Sequence, residues 1–154
     1  MSPLTTVRPK RSVPVRGLLA VLAANLLLGV PAYFTAFLMA YGFQDPVALG
    51  NHVTFLVLIA IFAVATGLIG MAVSANGGPP ATAGRRVRCG VLASLALNTA
   101  VVGAGSIVSA QHKAENSVSA GFSTTTDVLV ASVLFVMAIV LTLAAVRVVS
   151  SRPR

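Results

Sequence analysis

The sequence predicts an all-α integral membrane protein, a four-helix bundle built from two transmembrane hairpins. Apolar residues make up 56% of the chain and charged residues only 9%, whereas a soluble domain carries about 25% charged residues. Four long apolar runs alternate with short polar segments rich in turn-forming residues. The charges are also sorted, because every Lys and Arg except Lys113 lies at one predicted end of these runs and every acid lies at the other.

One domain is expected, a four-span transmembrane region over residues 17–150 between two basic cytoplasmic tails. The first tail, residues 1–16, is polar and contains Pro, so we expect it to be disordered. Its cations are interpreted as a topology signal, and attraction to anionic headgroups, about 1 kcal/mol per cation, is the alternative role. The second tail is the short basic segment 151–154.

The first span is expected over residues 17–43 and contains Asn25 and Pro31. Such a run covers about 40 Å at 1.5 Å per residue, which exceeds the hydrocarbon thickness of about 30 Å. The helix should therefore tilt or kink. A cleaved signal peptide is the alternative, although signal-peptide apolar regions are shorter, about 7 to 15 residues. Cleavage would leave the other three spans oriented in the same way, so charge sorting leaves this alternative open.

The second span is expected over residues 53–75, after an outer turn at 44–52 that contains Asp45-Pro46 and Gly50-Asn51. This span is apolar all round, as a membrane helix should be. Gly67 lies four residues after Ala63, so these small side chains form a patch that another helix can approach closely.

The connector from Asn76 to Arg88 sets the orientation of the whole chain. It contains a helix-breaking Gly-Gly-Pro-Pro followed by Arg85, Arg86 and Arg88. Arginines close to the ends of membrane spans stay in the cytoplasm. Together with Arg16 and Arg147 they place both termini in the cytoplasm, in a bacterial-type inner (plasma) membrane.

The third span is expected over residues 89–110 and is rich in small residues. Ala96, Ala100 and Ala104 form one stripe with Gly103 beside it, which predicts that this span is the packed centre and the most buried helix of the bundle. Cys89 at its start is interpreted as a small buried apolar residue, and palmitoylation is the alternative.

The fourth span is expected over residues 128–150, after a polar outer loop at 111–127. Thr126 or Asp127 is placed to cap this helix. Arg147 lies in its last turn, where the side chain can extend along lipid until the guanidinium reaches the headgroups.

The two hairpins share a sequence pattern. Leu-Ala-x-Leu-Ala-x-Asn occurs at Leu19–Asn25 and again at Leu92–Asn98, an offset of 73 positions (98 − 25). A tandem duplication would produce this pattern, with the two repeats related by an axis along the membrane normal. Chance matching is the alternative, since apolar sequences use few residue types.

Asn25 and Asn98 are the strongest polar residues inside the spans. A polar patch for a substrate or ion is one interpretation. Hydrogen bonding between helices, worth about 0.6 to 2 kcal/mol, is the favoured one. His52 and His112 lie near the outer ends of spans and are expected to be solvated loop residues, because two histidines without further ligands do not make a metal pattern.

Several function classes lack their usual residues. The central parts of the spans contain no Asp, Glu, Lys or His, whereas proton-coupled carriers depend on such groups. The sequence has no nucleophile elbow, P-loop or redox Cys pair, and its positive charge of +8 is not accompanied by a basic face with stacking aromatics. We therefore expect no enzyme activity, no cofactor, no metal site and no nucleic-acid binding.

Two functions remain as hypotheses. The first is a non-catalytic accessory or interaction subunit of a membrane assembly, which would act through a membrane-protein partner or as a homo-oligomer. The second is a small permeation protein: a channel, a carrier for an uncharged solute, or a holin-like pore formed by several copies. In the second hypothesis the two asparagines and the Thr and Ser residues of the third span would line the path.

Overall fold

The computed structural model describes residues 15–42, 49–74, 83–116 and 124–150. They form four helices: α1 (Val15–Tyr41), α2 (Leu49–Ser74), α3 (Ala83–Asn116) and α4 (Thr124–Ser150). All four are long and apolar enough to cross a membrane, and these residue ranges contain no strand. The predicted all-α class, with four helices that could span a membrane, is thereby confirmed. Tail residues 1–14 and 151–154 lie outside the described residues.

The helices extend beyond the predicted spans. Residues 49–52, expected in a turn, belong to α2, and the arginines expected in the connector lie in the first two turns of α3. α4 begins at Thr124, so Thr126 and Asp127 lie inside its first turn and the predicted capping role is wrong. Hydropathy marks where a helix leaves lipid, whereas good helix formers such as Ala, Arg, Gln and Glu prolong it in water.

The helix that contacts each of the other three is α3. It packs most extensively against α4, then against α2, and more lightly against α1, while α1 and α2 pair as a hairpin. Within the described ranges, α4 approaches α3 alone at backbone distance. The bundle is therefore a three-helix cluster, α1 to α3, with α4 attached at one side.

Over the predicted bounds, the third span is the most buried of the four. Of residues 89–110, seven are buried and five are exposed, whereas of residues 53–72 in α2 six are buried and eleven are exposed. The whole of α3 spans about 51 Å for its 34 residues, so its ends extend past this packed region. α2 lies along both α1 and α3.

Glycines allow α2 to lie close to both neighbours. A Cβ on Gly70 would lie 2.7 Å from the Cα of Val21 in α1, and a Cβ on Gly67 would lie 2.7 Å from the Cα of Val91 in α3. A Cβ on Gly90 would overlap the side chain of Met71. These separations are far below van der Waals contact, so the backbones touch only because the side chains are absent.

The outer surface of the four helices is apolar. Leu27, Val30 and Leu129 are 78%, 79% and 62% exposed, and similar large side chains cover every helix. A soluble protein rarely exposes apolar surface on this scale, whereas lipid tails solvate it. The helices are thus built to face hydrocarbon on the outside and one another on the inside.

Candidate functional site

Five polar side chains meet at the interface of α1, α2 and α3, and we call them the polar cluster. They come from all three helices and are joined into a continuous hydrogen-bond network: Asn25, Tyr33, Thr66, Ser94 and Asn98. Four of the five are buried, with exposed fractions from 0% for Ser94 to 8% for Asn25. The cluster therefore lies inside the protein and away from lipid.

The two asparagines bond directly to each other. Asn98 Nδ2 donates to Asn25 Oδ1 at 2.7 Å and also to the backbone oxygen of Ser94 at 2.8 Å. Asn25 Nδ2 in turn donates to the backbone oxygen of Val21 at 2.8 Å. Each carboxamide is thereby tied to its own helix and, through the shared bond, to the other hairpin.

Two hydroxyl groups extend the network to α2. Thr66 Oγ1 and Ser94 Oγ lie 2.9 Å apart, and Asn25 Nδ2 donates to Ser94 Oγ at 3.1 Å. Thr66 Oγ1 also lies 3.3 Å from Asn25 Oδ1. Asn25 Oδ1 is thus the acceptor on which donors from α2 and α3 converge.

Tyr33 completes the network on the side of Asn98. Its hydroxyl donates to Asn98 Oδ1 at 2.9 Å, so the amide of Asn98 uses its oxygen as well as its nitrogen. The ring of Tyr33 makes edge contacts with Phe55 and Phe62 of α2, with centroids 6.3 Å away in both cases. These contacts fix the ring while the hydroxyl points into the cluster.

The network satisfies its own members. No buried side-chain nitrogen or oxygen in the described part of the chain lacks a hydrogen-bond partner. An unpaired polar group in hydrocarbon costs several kcal/mol, so this pairing is what allows five polar side chains to lie inside the bundle. Chemically, the arrangement is suited to holding three helices in one register.

The cluster follows from four-residue spacings on single helix faces. Gly90, Ser94 and Asn98 succeed one another at intervals of four on α3, so the close approach at the glycine is on the same face as the two polar side chains. The sequence identified Gly67 and the two asparagines, and it indicated Ser94 only among the Thr and Ser residues of the third span, whereas Tyr33 and Thr66 were missed. The series of a small residue, Ser and Asn at intervals of four was the signal that could have identified Ser94.

The other predicted packing residues lie on the side of α3 that faces α4. Gly103 is buried, and a Cβ there would lie 3.4 Å from the Cβ of Leu134, an ordinary contact with α4. Ala96 is buried and Ala100 is half-buried, and both line a groove beside α4. Cys89 is buried at 3% exposure and lines the same groove.

A second set of polar contacts lies where α1 ends and α2 begins. The hydroxyl of Tyr41 and Nδ1 of His52 lie 2.9 Å apart, and Asn51 Nδ2 donates to the backbone oxygen of Ala40 at 2.6 Å. His52 and His112 both lie on helices, so their placement in loops was wrong. His52 is half-buried, because α2 begins before it and turns it toward Tyr41, whereas His112 is exposed on α3.

An ion pair connects the end of α3 to the beginning of α4. Lys113 Nζ lies 2.6 Å from Asp127 Oδ2, with side chains only 17% and 12% exposed, and Ser109 Oγ lies 3.4 Å from the same oxygen. Asp127 also lies in the first turn of its helix, where a negative charge is favourable. Across the described helices, no three His, Cys, Asp or Glu side chains are grouped as metal ligands.

The predicted topology residues lie at the opposite end of the helices. Arg16, Arg85, Arg88 and Arg147 are exposed, and Arg86 is half-buried. All five arginines lie at the same end of the helix bundle, since α1 and α3 begin there and α4 ends there.

The chain matches no protein-family model, no curated protein and no solved structure. A function is therefore inferred from the polar cluster, from the position of α4 at one side of the other helices and from the distribution of charge.

Proposed function

We propose that this protein is a non-catalytic component of a membrane assembly, which binds another membrane protein or further copies of itself. The observation that supports this proposal is that the amides and hydroxyls of the polar cluster are hydrogen-bonded to one another. A permeation path needs polar groups that turn toward the solute. Here the oxygens and nitrogens of both asparagines are occupied within the chain, which supports a scaffolding role for the cluster.

The position of α4 supports a partner. Among the described helices it packs on α3 alone, so much of its circumference is available for another helix. Val133, Val136 and Val140 lie on its exposed side, at 56%, 61% and 57% exposure. The connecting segments 43–48, 75–82 and 117–123 are short. Most of the surface that the four-helix region presents to a partner therefore lies within the bilayer.

The orientation that we propose has both termini in the cytoplasm of a bacterial-type inner membrane, as a multi-pass protein. It is supported by the charges. Arg16, Arg88 and Arg147 lie at one end of the described helices, whereas Glu115 and Asp127 lie at the other. Positive residues beside membrane spans are retained in the cytoplasm.

Affinity purification of the tagged chain from its native membrane in mild detergent tests this function. We expect a partner in fixed stoichiometry, and we expect Val136→Phe to weaken its retention. Leu27→Phe is the matched control, because Leu27 is 78% exposed on α1 and far along the chain from the proposed contact. A chain that purifies alone, and that conducts or transports a solute after reconstitution, would overturn the proposal in favour of a pore.

A further inference from the structure

An open apolar groove runs between α3 and α4 and is bordered at one end by α1. Its volume is about 820 Å³, within the range of about 300 to 1,000 Å³ that is typical of ligand sites. Small side chains form its floor, including Cys89, Ala96 and Ala100, and Ile139 of α4 and Leu18 of α1 form its sides. The groove exists because α4 packs on α3 without reaching α1.

The polar atoms in the groove are already bonded. Thr142 Oγ1 donates to the backbone oxygen of Ala138 at 2.8 Å, and Ser150 Oγ donates to that of Arg147 at 3.1 Å. The walls therefore offer contact to hydrocarbon and no hydrogen bond to a polar solute. Any occupant must be apolar along its whole length inside the groove.

The length of the groove matches one leaflet of a bilayer. Its α3 wall runs from Cys89 to Ala100 and its α4 wall from Phe135 to Ser150, which is about 16 Å and about 22 Å at 1.5 Å per residue. Half of a bilayer is about 15 Å of hydrocarbon, or about 20–22 Å with its headgroup region. An acyl chain that enters from the basic end would therefore lie in the groove down to the bilayer centre.

The entrance is positively charged. Arg16 lies two residues before Leu18, Arg88 is next to Cys89, and Arg147 lies three residues before Ser150, so each is a neighbour in sequence of a residue that lines the groove near this end. Each of these arginines is exposed. The acidic residues of the described helices, Glu115 and Asp127, lie at the opposite end, so the entrance has no carboxylate from these helices nearby.

We propose that this groove is a binding site for an anionic phospholipid, with an acyl chain between α3 and α4 and the phosphate beside the arginines. Guanidinium groups bind phosphate with paired hydrogen bonds, and basic pockets between membrane helices attract anionic headgroups. A second copy of the chain suits the groove less well. In the same membrane orientation it would bring its own arginines against these, with like charges adjacent.

Lipid binding to the purified full-length chain in detergent tests the proposal, with native mass spectrometry as the measurement. The probes are dioleoyl phosphatidylglycerol, dioleoyl phosphatidylcholine and soluble glycerol phosphate. We expect phosphatidylglycerol to bind about tenfold more tightly than phosphatidylcholine, because it keeps its net negative charge. Glycerol phosphate should not bind, since it has no chain to fill the groove.

Variants separate the groove from its entrance. Ala100→Leu fills the floor and should weaken binding of both lipids, while Ala104→Leu, the same change at an exposed position outside the groove, should bind as the native chain does. Arg88→Gln should reduce the affinity for phosphatidylglycerol to that for phosphatidylcholine. Arg88→Lys should retain part of the preference for phosphatidylglycerol.

Three results would overturn the proposal. They are equal binding of the two lipids to the native chain, unchanged phosphatidylglycerol binding by Ala100→Leu, or equal binding of glycerol phosphate and phosphatidylglycerol. A fourth result, a dimer that Ala100→Leu dissociates, would assign the groove to a second copy instead. None of these outcomes depends on whether a protein partner co-purifies, so the proposed function and the lipid site fail separately.

Discussion

Asn98 donates a 2.7 Å hydrogen bond to Asn25, a residue 73 positions earlier in the chain. These are the two asparagines that end the shared Leu-Ala-x-Leu-Ala-x-Asn pattern. In two repeats related by a two-fold axis, equivalent residues meet at the axis, so this contact is what a tandem duplication would place there. The duplication itself stays a prediction, and α4 departs from such symmetry because it does not pair with α1 as α2 pairs with α3.

Glycine substitutions should reveal where the helices touch. Gly70→Ala places a methyl group 2.7 Å from the Val21 backbone, so we expect a loss of about 1–3 kcal/mol and a lower melting temperature in detergent. Gly105→Ala is the matched control, because no atom lies within 4 Å of its added Cβ. It should be neutral or stabilise the helix by about 0.5–1 kcal/mol. Equal melting temperatures for the two variants would contradict the close approach of α1 and α2.

The ion pair between α3 and α4 should contribute to stability. Asp127→Asn leaves Lys113 without its partner carboxylate, and we expect a loss of about 1–3 kcal/mol, between the values for surface and fully buried pairs. The double variant with Lys113→Gln should recover part of this loss. Thermal unfolding measures both. Glu115→Gln, at an exposed acid on the same end of α3, is the control and should change stability by no more than about 0.5 kcal/mol. If Glu115→Gln lowered stability as much as Asp127→Asn does, the effect would come from the negative charge at this end of the helices and not from the ion pair.

The sequence was sufficient for the four helices because lipid imposes a simple rule. Every backbone group inside hydrocarbon must bond within its own helix, so a long apolar run becomes a spanning helix whatever its side chains are. The helix ends were predicted less well. The two ends of α3, Ala83 to Arg88 and Gln111 to Asn116, are helical but largely polar. The apolar run is therefore shorter than the helix at both ends.

The arrangement of the helices was harder to predict than their existence. Apolar residues surround each span, so no polar face indicates which side packs inward. The asparagines were recognised because a carboxamide is rare in hydrocarbon. Thr66 was not recognised, and Ser94 was not distinguished from the other hydroxyls of its span, since hydroxyls commonly bond to their own helix. Thr66 Oγ1 does make such a contact, 3.0 Å from the backbone oxygen of Phe62. Its further contacts depend on the neighbouring helices and are invisible in the sequence.

Reporter fusions should establish the orientation. A reporter placed after Ala75 should be cytoplasmic, and one placed at Ser119 should be external, because the arginines that begin α3 resist translocation. Both points lie outside the described residues, so neither fusion falls within one of the four described helices. Alkaline phosphatase and green fluorescent protein give opposite readouts at each point. A cytoplasmic signal from Ser119 would reverse the proposed orientation of α3 and α4.

Substitution of the two asparagines separates the scaffolding and pore hypotheses. Asn98→Leu removes the donor to Asn25 Oδ1 and the acceptor of the Tyr33 hydroxyl, and it leaves the buried Asn25 and the half-buried Tyr33 without these bonds. We expect each single variant, Asn25→Leu or Asn98→Leu, to lower stability by about 1–3 kcal/mol. The double variant should lose less than the sum of the two, since the shared bond is lost only once.

The second measurement on the same variants is solute or ion flux in liposomes. If the cluster holds the helices together, flux should be no different between the native chain and the variants, while the melting temperature falls. A pore would behave in the opposite way, because an amide that faces water loses little when it is replaced, but a leucine in the path obstructs the solute. Lost flux with unchanged melting temperature would therefore reject the scaffolding role, since a buried amide bonded at 2.7 Å cannot be removed from hydrocarbon without cost to its partners.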